Sequence, residues 1–479
     1  MKLRELAMGY EIIGELNPEI TDIVYDSRMV VPGALYCAIT GRNADGHMFI
    51  NDAERAGAAA LLVSRDMGSR LPRILAEDTR KAMAILSDRF FGHPSGGMKL
   101  IGITGTAGKS TTAFIIHSAL RALGHQAALI TTVQYSTPKA TRPAERTTPE
   151  APDLQRLLKQ ALEEGADFGV MEVSSHGVAE HRILGLEFSA GAFTNLGRDH
   201  LDYHGTIEAY AEAKLEFFRM LPQDAVAAIN ADDPWAFRFA QETPAKAIFY
   251  SLNGRGEIRV RVLSSDAEGL ALEFEMAGQK ARTLLPLVGL HNAGNAGAAL
   301  AVLVGLGFEL GAVASAFRSA KGPPGRFEKV SEGKDFLVIV DYAHTPEALS
   351  RALSAARLLT KGRLHLVFGC GGNRDKGKRP LMGRAAEEGA DSVILTTDNP
   401  RDEEPSDIIR EILSGMETKP LVIPDRREAI RAGIRSLGPG DVLLIAGKGH
   451  EEYMEIKGQR IPFSDRQVAV EVMNEIQAG

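Results

Sequence analysis

One short stretch combines a cation, a hydroxyl and glycines at the spacing needed to hold phosphate. It is Gly105-Thr106-Ala107-Gly108-Lys109-Ser110-Thr111, set between the apolar run KLIGITG and the helical pattern TTAFIIHSALRALG. Between a strand and a helix, such a loop aims backbone N–H groups and the helix N-terminus at anionic oxygens. Lys109 would then reach the β- and γ-phosphates of a nucleotide, and the Ser110 hydroxyl would ligate Mg²⁺. The common form, GxxxxGK[ST], would place its first glycine at Ile103; here the glycines stand at Gly102 and Gly105. Glu172, at the end of another apolar run in MEVSSH, is a candidate carboxylate ligand to the nucleotide's Mg²⁺. Further on, Asp199, His200, Asp202 and His204 fall within six positions. They suit either a polar loop capping a helix or, beside a phosphate loop, metal or substrate binding.

A second set lies in the last third of the chain. Asp341 in VDYAHTPEAL, Arg374 in GCGGNRDKGKRP, the tetrapeptide Asp398-Asn399-Pro400-Arg401, and Gly447 and Glu451 in GKGHEEY each follow an apolar run. The segment FGCGGNRDKG has the glycine content of a dinucleotide fingerprint but not its GxGxxG spacing, so it is not read as one.

These residues need a scaffold of strands ending in loops. Strand-like runs occur at 34–39, 59–63, 99–105, 127–133, 168–173, 190–195 and 225–230, with helical stretches such as 79–90 between them. The C-terminal part repeats the theme with FLVIVDYA, RLHLVFGC, SVILTTD, PLVIP and DVLLIAG. Alternating strands and helices predict an α/β protein with largely parallel sheets, a central P-loop sheet and a C-terminal Rossmann-like doubly wound domain. In open sheets of that kind ligands bind beyond the carboxyl ends of the strands, where four of the five C-terminal runs meet polar clusters. Turn-rich segments at 91–97 and 321–325 predict boundaries, giving domains 1–95, 96–321 and 322–479. The 479 residues agree, at roughly 150 per domain.

Composition narrows the function. Lys plus Arg number 55 against 62 Asp plus Glu, a formal charge of -7, which argues against a general nucleic-acid binder. The 2 cysteines, Cys37 and Cys370, stand far apart in the chain, which excludes a disulfide framework and a thiolate zinc site and fits a reducing compartment. No apolar run approaches the about 20 residues of a membrane span, and the first residues lack a signal-peptide core. A cytoplasmic protein without a membrane span is expected.

The motifs resemble the Mur ligases, ATP-dependent amino-acid ligases of peptidoglycan precursor synthesis. GITGTAGKSTT is similar to their GTNGKTT loop, with Ala107 for Asn and Ser110 for Thr. The resemblance covers essentially the whole chain and implies three domains: an N-terminal α/β domain for a uridine nucleotide, then the ATP-binding and amino-acid-binding domains. It extends the ATP site to Asn292, Asn295, Arg326 and Asp341. It implies that Ser27, Arg42, Asn43, Ala44, Thr147, Thr148, Ser174, Glu180 and Arg182 contact UDP-MurNAc-L-Ala-D-Glu, with Glu180 where Gln is often found and Arg146 in place of an Asn. Lys214, in AYAEAKLEFF, stands where the family carries a carbamylated lysine (N6-carboxylysine). As a carbamate it would join Ser110, Glu172 and His200 as metal ligands, with Lys109, Glu172, His200 and Lys214 the catalytic groups. The tetrapeptide 398–401 resembles the signature of members that add meso-diaminopimelate. That amino acid differs from lysine by a distal carboxylate, which a guanidinium grips through two parallel hydrogen bonds. Arg374, Asp398, Asn399, Pro400, Arg401, Gly447 and Glu451 are then its contacts. A monomer, with closure of the third domain assembling the site, is the expectation. The open alternatives are a lysine-adding or folylpolyglutamate-type ligase, a P-loop NTPase or phosphotransferase, and a non-catalytic nucleotide binder.

Overall fold

The computed structural model describes residues 1–41, 44–197, 199, 201–331 and 334–478, without the side chains of residues 201, 202, 477 and 478. The described chain forms two compact units, one of Met1–Arg259 with Gly297–Val313, the other of Val260–Ala296 with Ala314–Gly479.

In the first unit a five-stranded sheet runs in the order Glu11–Ile13, Arg73–Leu75, Ala60–Val63, Ala34–Cys37, Asp22–Val24. Only the first pairing is antiparallel. The helix Thr79–Phe91 follows, started by the Asp78 carboxylate accepting from the Lys81 N–H and stopped by Gly92 at φ 81°. Asp, with its short acceptor, and Gly, with access to left-handed backbone, are suited to those two ends.

Next comes a parallel core: Ala127–Ile130, Phe168–Glu172, Lys99–Thr104, Phe188–Phe193, Val226–Asn230 and Lys246–Ser251, in that spatial order. Phe168–Glu172 is buried at every position, which is why its sequence reads as an unbroken apolar run rather than an alternation. The run expected over 127–133 ends as a strand at Ile130. Thr131 closes a turn there, its N–H donating to the Gln134 carbonyl at 3.0 Å, and its hydroxyl oxygen accepts from the Val133 and Gln134 N–H groups. The chain therefore reverses into the antiparallel edge strands Gln134–Ser136 and Thr141–Pro143.

The second unit carries a six-stranded sheet in the order Glu328–Lys329, Leu337–Asp341, Val442–Ala446, Leu364–Phe368, Ser392–Leu395, Leu421–Val422, parallel except at the first pair. All five apolar C-terminal runs are thus strands, the fourth only two residues long and exposed. Two hairpins go beyond the sequence reading. Gly269–Met276 pairs with Gln279–Leu285 through Ala277 and Gly278, both at positive φ, and Tyr453–Ile456 pairs with Gln459–Pro462 through Lys457 and Gly458, again both positive. Two-residue loops of that hand match the strand twist.

One ion pair is sealed inside the second unit. Arg426 forks onto both oxygens of Asp465 at 2.7 Å, with both side chains 0% exposed, and also donates to the carbonyls of Ala446 at 3.0 Å and Thr397 at 3.3 Å. Those carbonyls immediately precede the loops 447–451 and 398–401. Arg426→Met is expected to lower the unfolding free energy by about 3–5 kcal/mol, because Asp465 is left as an uncompensated buried charge. Urea titrations compare this variant with the double variant Arg426→Met, Asp465→Leu. A single-variant loss under about 1 kcal/mol would refute the sealed pair.

Both thiols are buried and unpaired, and burial pushes Cys370 up to about 12 and Cys37 higher still. Among the described residues no helix is long and apolar enough to cross a membrane.

Candidate active site

The loop 105–108 sits where the sequence places it, between the strand Lys99–Thr104 and the helix Lys109–Ala122. Gly105 has φ 145°, and a Cβ there would lie 1.9 Å from the Thr194 hydroxyl oxygen, so no side chain fits. Ala107 is held through its backbone: Asn195 accepts its N–H and donates to its carbonyl, each at 3.0 Å, and the Thr194 hydroxyl donates to the same carbonyl at 2.7 Å. The loop's shape therefore owes nothing to a side chain at position 107. Lys109 folds back, its Nζ donating to the carbonyls of Gly105 at 2.8 Å and Thr106 at 3.0 Å.

A second lysine reaches the same oxygen. Lys214, on the helix Ile207–Arg219 and 1% exposed, donates to the Gly105 carbonyl at 3.0 Å, with its Nζ 4.4 Å from the Tyr210 ring centroid. Burial holds its pKa well below the usual lysine value, the nearby Lys109 charge lowers it further, and Asp199 works in the opposite direction. The Lys109 ammonium on this loop makes an electropositive spot, suited to a polyphosphate.

On the other side of the loop, the Ser110 hydroxyl donates to Glu172 Oε1 at 2.7 Å. Glu172 is 1% exposed and also accepts from the Thr132 N–H at 2.9 Å and hydroxyl at 3.2 Å. A serine oxygen beside a buried carboxylate is a hard-oxygen pair of the kind Mg²⁺ prefers, so the residues fit that ion. Among the described residues no three His, Cys, Asp or Glu side chains form a metal-holding group. His200 lies outside the described residues, as does the side chain of Asp202. His204 accepts or donates at the Ser175 hydroxyl, 3.0 Å away, and its ring packs near His176 and Tyr210.

Thr148 links this centre to a charged cluster. Its hydroxyl donates to the Glu172 carbonyl at 2.9 Å and lies 3.1 Å from the Ser174 hydroxyl. The Thr147 hydroxyl lies 3.0 Å from that of Thr132. Arg182 donates to the Thr148 carbonyl at 2.8 Å and pairs with both Glu180 and the buried Glu150. Arg80 and Arg146 also reach Glu150, at 3.3 and 3.2 Å. Ser27 starts a short 3-10 turn in the first sheet region and Ala44 is exposed, while Arg42 and Asn43 lie outside the described residues.

In the second unit, Asn292 and Asn295 are buried, with the Asn295 amide donating to Asn292 Oδ1 at 2.9 Å and the Asn292 amide to the Val288 carbonyl at 2.8 Å. Asp341 ends its strand, accepting the Phe327 and Ala343 N–H groups; burial raises its pKa, and Arg326 opposes the shift. The Arg326 guanidinium lies over the Tyr342 ring at 4.6 Å. At the neighbouring strand ends Asn399 is the hub. Its amide donates to Glu451 at 2.7 Å, and its Oδ1 accepts the fully buried Lys448 ammonium at 2.9 Å. Asp398 is buried, and a Cβ on Gly447 would lie 2.5 Å from its Oδ2. Pro400 is buried, Arg374 is exposed, and Arg401 is 17% exposed beside a cavity of about 470 Å³.

Comparison with known proteins places this arrangement. Three family descriptions match in chain order: "Mur ligase family, catalytic domain" over 19–91, "Mur ligase middle domain" over 103–303 and "Mur ligase, glutamate ligase domain" over 325–449. A UDP-N-acetylmuramoyl-L-alanyl-D-glutamate--2,6-diaminopimelate ligase of Syntrophomonas wolfei is 40% identical, covering 99% of each chain. The enzyme of that name from Aquifex aeolicus is 43% identical over 95% of this chain and 94% of its own. The chain belongs to the Mur ligase family. A solved structure of the same enzyme name superposes with a TM-score of 0.73 at 32% identity, covering 100% of this chain and 99% of the other.

Several features of this Mur ligase escaped the sequence reading. Thr132, Asn195 and Lys448 hold the groups named above, although Asn195 and Lys448 stand inside motifs already singled out. Glu150 stands two residues after Thr148 but finds its arginines only through the fold. The sequence prepares nothing for Glu455, which accepts the Arg401 Nε at 2.9 Å.

Proposed function

We propose that this Mur ligase adds meso-2,6-diaminopimelate to UDP-MurNAc-L-Ala-D-Glu, converting ATP to ADP and phosphate. The carrying observation is the 398–401 tetrapeptide at its strand end, where the Arg401 guanidinium and the Lys448 ammonium stand beside the Asn399 hub. Domains 1–95, 96–321 and 322–479 take the uridine nucleotide substrate, ATP and the amino acid. Ser27, the 42–44 stretch, Thr147, Thr148, Ser174, Glu180 and Arg182 hold the first. Asn292, Asn295, Arg326 and Asp341 complete the ATP site with the 105–111 loop. Arg374, Asp398, Asn399, Pro400, Arg401, Gly447 and Glu451 hold the incoming amino acid.

A carboxylate is a poor acyl donor at neutral pH, so it needs activation. The free side carboxylate of the D-glutamyl residue attacks the γ-phosphorus of ATP, releasing ADP and giving an acyl phosphate. The diaminopimelate amine attacks that acyl carbon, a tetrahedral adduct forms, and phosphate leaves as the amide is made. Lys109 neutralises charge growing on the transferring phosphoryl oxygens, the largest catalytic effect expected in such a site. Ser110 and Glu172 would hold Mg²⁺, and His200 with Lys214 as carbamate would hold a second ion; such ions would supply charge neutralisation. No side chain acts as a covalent nucleophile.

The test is phosphate release with ATP, Mg²⁺ and the UDP-dipeptide, adding meso-diaminopimelate, LL-diaminopimelate, L-lysine or L-ornithine separately and recording product masses. Turnover with meso-diaminopimelate and little with lysine is expected. A lysine preference would remove the carboxylate clamp but keep the ligase, and no turnover with any amine would remove the ligase reading.

A further inference from the structure

The hairpin Tyr453–Ile456 with Gln459–Pro462 stands outside the six-stranded sheet, yet it supplies the partners of the tetrapeptide. The Arg401 N–H donates to the Glu455 carbonyl at 3.0 Å, and the Lys457 N–H donates to the Arg401 carbonyl at 2.8 Å. The Glu455 N–H in turn donates to Asn399 Oδ1 at 2.9 Å. These bonds hold Arg401 at φ 53°, a left-handed conformation that a non-glycine residue keeps only when its surroundings impose it. The side chains are tied as well. Glu455 Oε2 accepts from Arg401 Nε at 2.9 Å, and Arg401 Nη1 donates to the Gly372 carbonyl at 2.7 Å. Two of the three guanidinium nitrogens are thereby fixed, and among the described residues Nη2 has no hydrogen-bond acceptor. Both partners remain partly open to solvent, Arg401 at 17% and Glu455 at 28%.

We propose that Glu455 is a positioning residue that sets amino-acid specificity, fixing the Nε side of Arg401 so that its Nη2 side meets a distal substrate carboxylate. This rests on the diaminopimelate reading. An untethered arginine loses rotamer freedom on binding; one already held at two nitrogens has lost it beforehand, so the substrate carboxylate meets a donor in place. Lysine presents no group there and gains nothing from the arrangement. Glu455 also repels an incoming carboxylate, but one guanidinium serves two carboxylates elsewhere in this unit: Arg379 holds Glu403 at 2.9 Å and Glu411 at 2.6 Å. A guanidinium between two carboxylates is thus an arrangement this unit already builds, and the KM of the Glu455 variants reads the balance of ordering against repulsion.

The experiment uses the full chain with ATP and the UDP-dipeptide saturating and the amine varied. Glu455→Ala is expected to raise KM for diaminopimelate about tenfold, the scale of one charge-assisted hydrogen bond. The kcat, the KM for ATP and the residual rate with lysine should not move, so the diaminopimelate-over-lysine ratio falls by the same factor. Glu455→Gln keeps an acceptor for Nε and is expected to restore most of the loss. An unchanged or lowered KM in Glu455→Ala, a parallel rise in the KM for ATP, or a Gln variant no better than Ala would each overturn the proposal. The wild-type enzyme preferring lysine would instead overturn the diaminopimelate reading, and that result is visible before any variant is made.

Discussion

Lys109→Met is expected to lower kcat for phosphate release by about 100- to 1000-fold, the range seen when one preorganised charge-stabilising donor is removed from an active site. Methionine keeps the unbranched shape and removes only the charge and its donors. The ammonium donates to the Gly105 and Thr106 carbonyls, which are neutral acceptors. A phosphate oxygen is a better acceptor, and one gathering charge during transfer is better still, so the loss should fall on kcat more than on the KM for ATP. The same substitution touches Lys214, because the Lys109 charge, after burial, helps lower the pKa of its amine. Lys109→Met combined with Lys214→Gln should therefore lose less than the product of the two single losses. Single-turnover and steady-state phosphate release on purified variants measure both. A kcat loss below tenfold for Lys109→Met would sink the assigned role.

What the sequence made legible follows from how each element is stabilised. Strands buried on both faces, such as Phe168–Glu172 and Val442–Ala446, read as continuous apolar runs whatever surrounds them. The phosphate loop was legible because glycine, lysine and hydroxyl must stand in fixed order between a strand and a helix. The short antiparallel hairpins were not, since strands of three or four residues carry too few alternations to stand apart from loops. Thr141–Pro143 is wholly exposed, and Gln459–Pro462 is too, so neither leaves an apolar trace. The site's supporting partners were hidden for a different reason. Thr132 meets Glu172 across 40 residues, Asn195 meets Ala107 across 88 and Glu455 meets Arg401 across 54. Their types are ordinary, and only the fold brings them together. Arg401 illustrates the gap: the tetrapeptide points to a carboxylate grip, whereas the carboxylate on its Nε comes from a hairpin that leaves no pattern in the sequence.

Lys214→Gln is expected to reduce turnover by about 100-fold or more, on the same scale as losing a charge-stabilising group. A lysine amine sealed at 1% exposure, next to another ammonium, is costly as a cation, so burial first and the Lys109 charge second lower its pKa and shift its balance towards the neutral amine. A neutral amine is the form that attacks carbon dioxide: the nitrogen lone pair bonds to carbon, one proton leaves, and a carbamate remains. That reaction replaces a repelled cation by an anion facing Lys109, so the same electrostatics that disfavour the ammonium favour the product. The carbamate oxygens would be hard ligands of the kind a second Mg²⁺ takes. Wild-type activity should accordingly fall in carbonate-free, degassed buffer and return when bicarbonate is supplied. The Gln variant should be insensitive to bicarbonate at its residual rate. Native mass spectrometry should find one carbon dioxide adduct on the wild-type chain, lost on acidification and missing from the variant. Full wild-type activity without carbon dioxide, together with no adduct, would leave Lys214 as a buried amine that shapes the loop through the Gly105 carbonyl and nothing more.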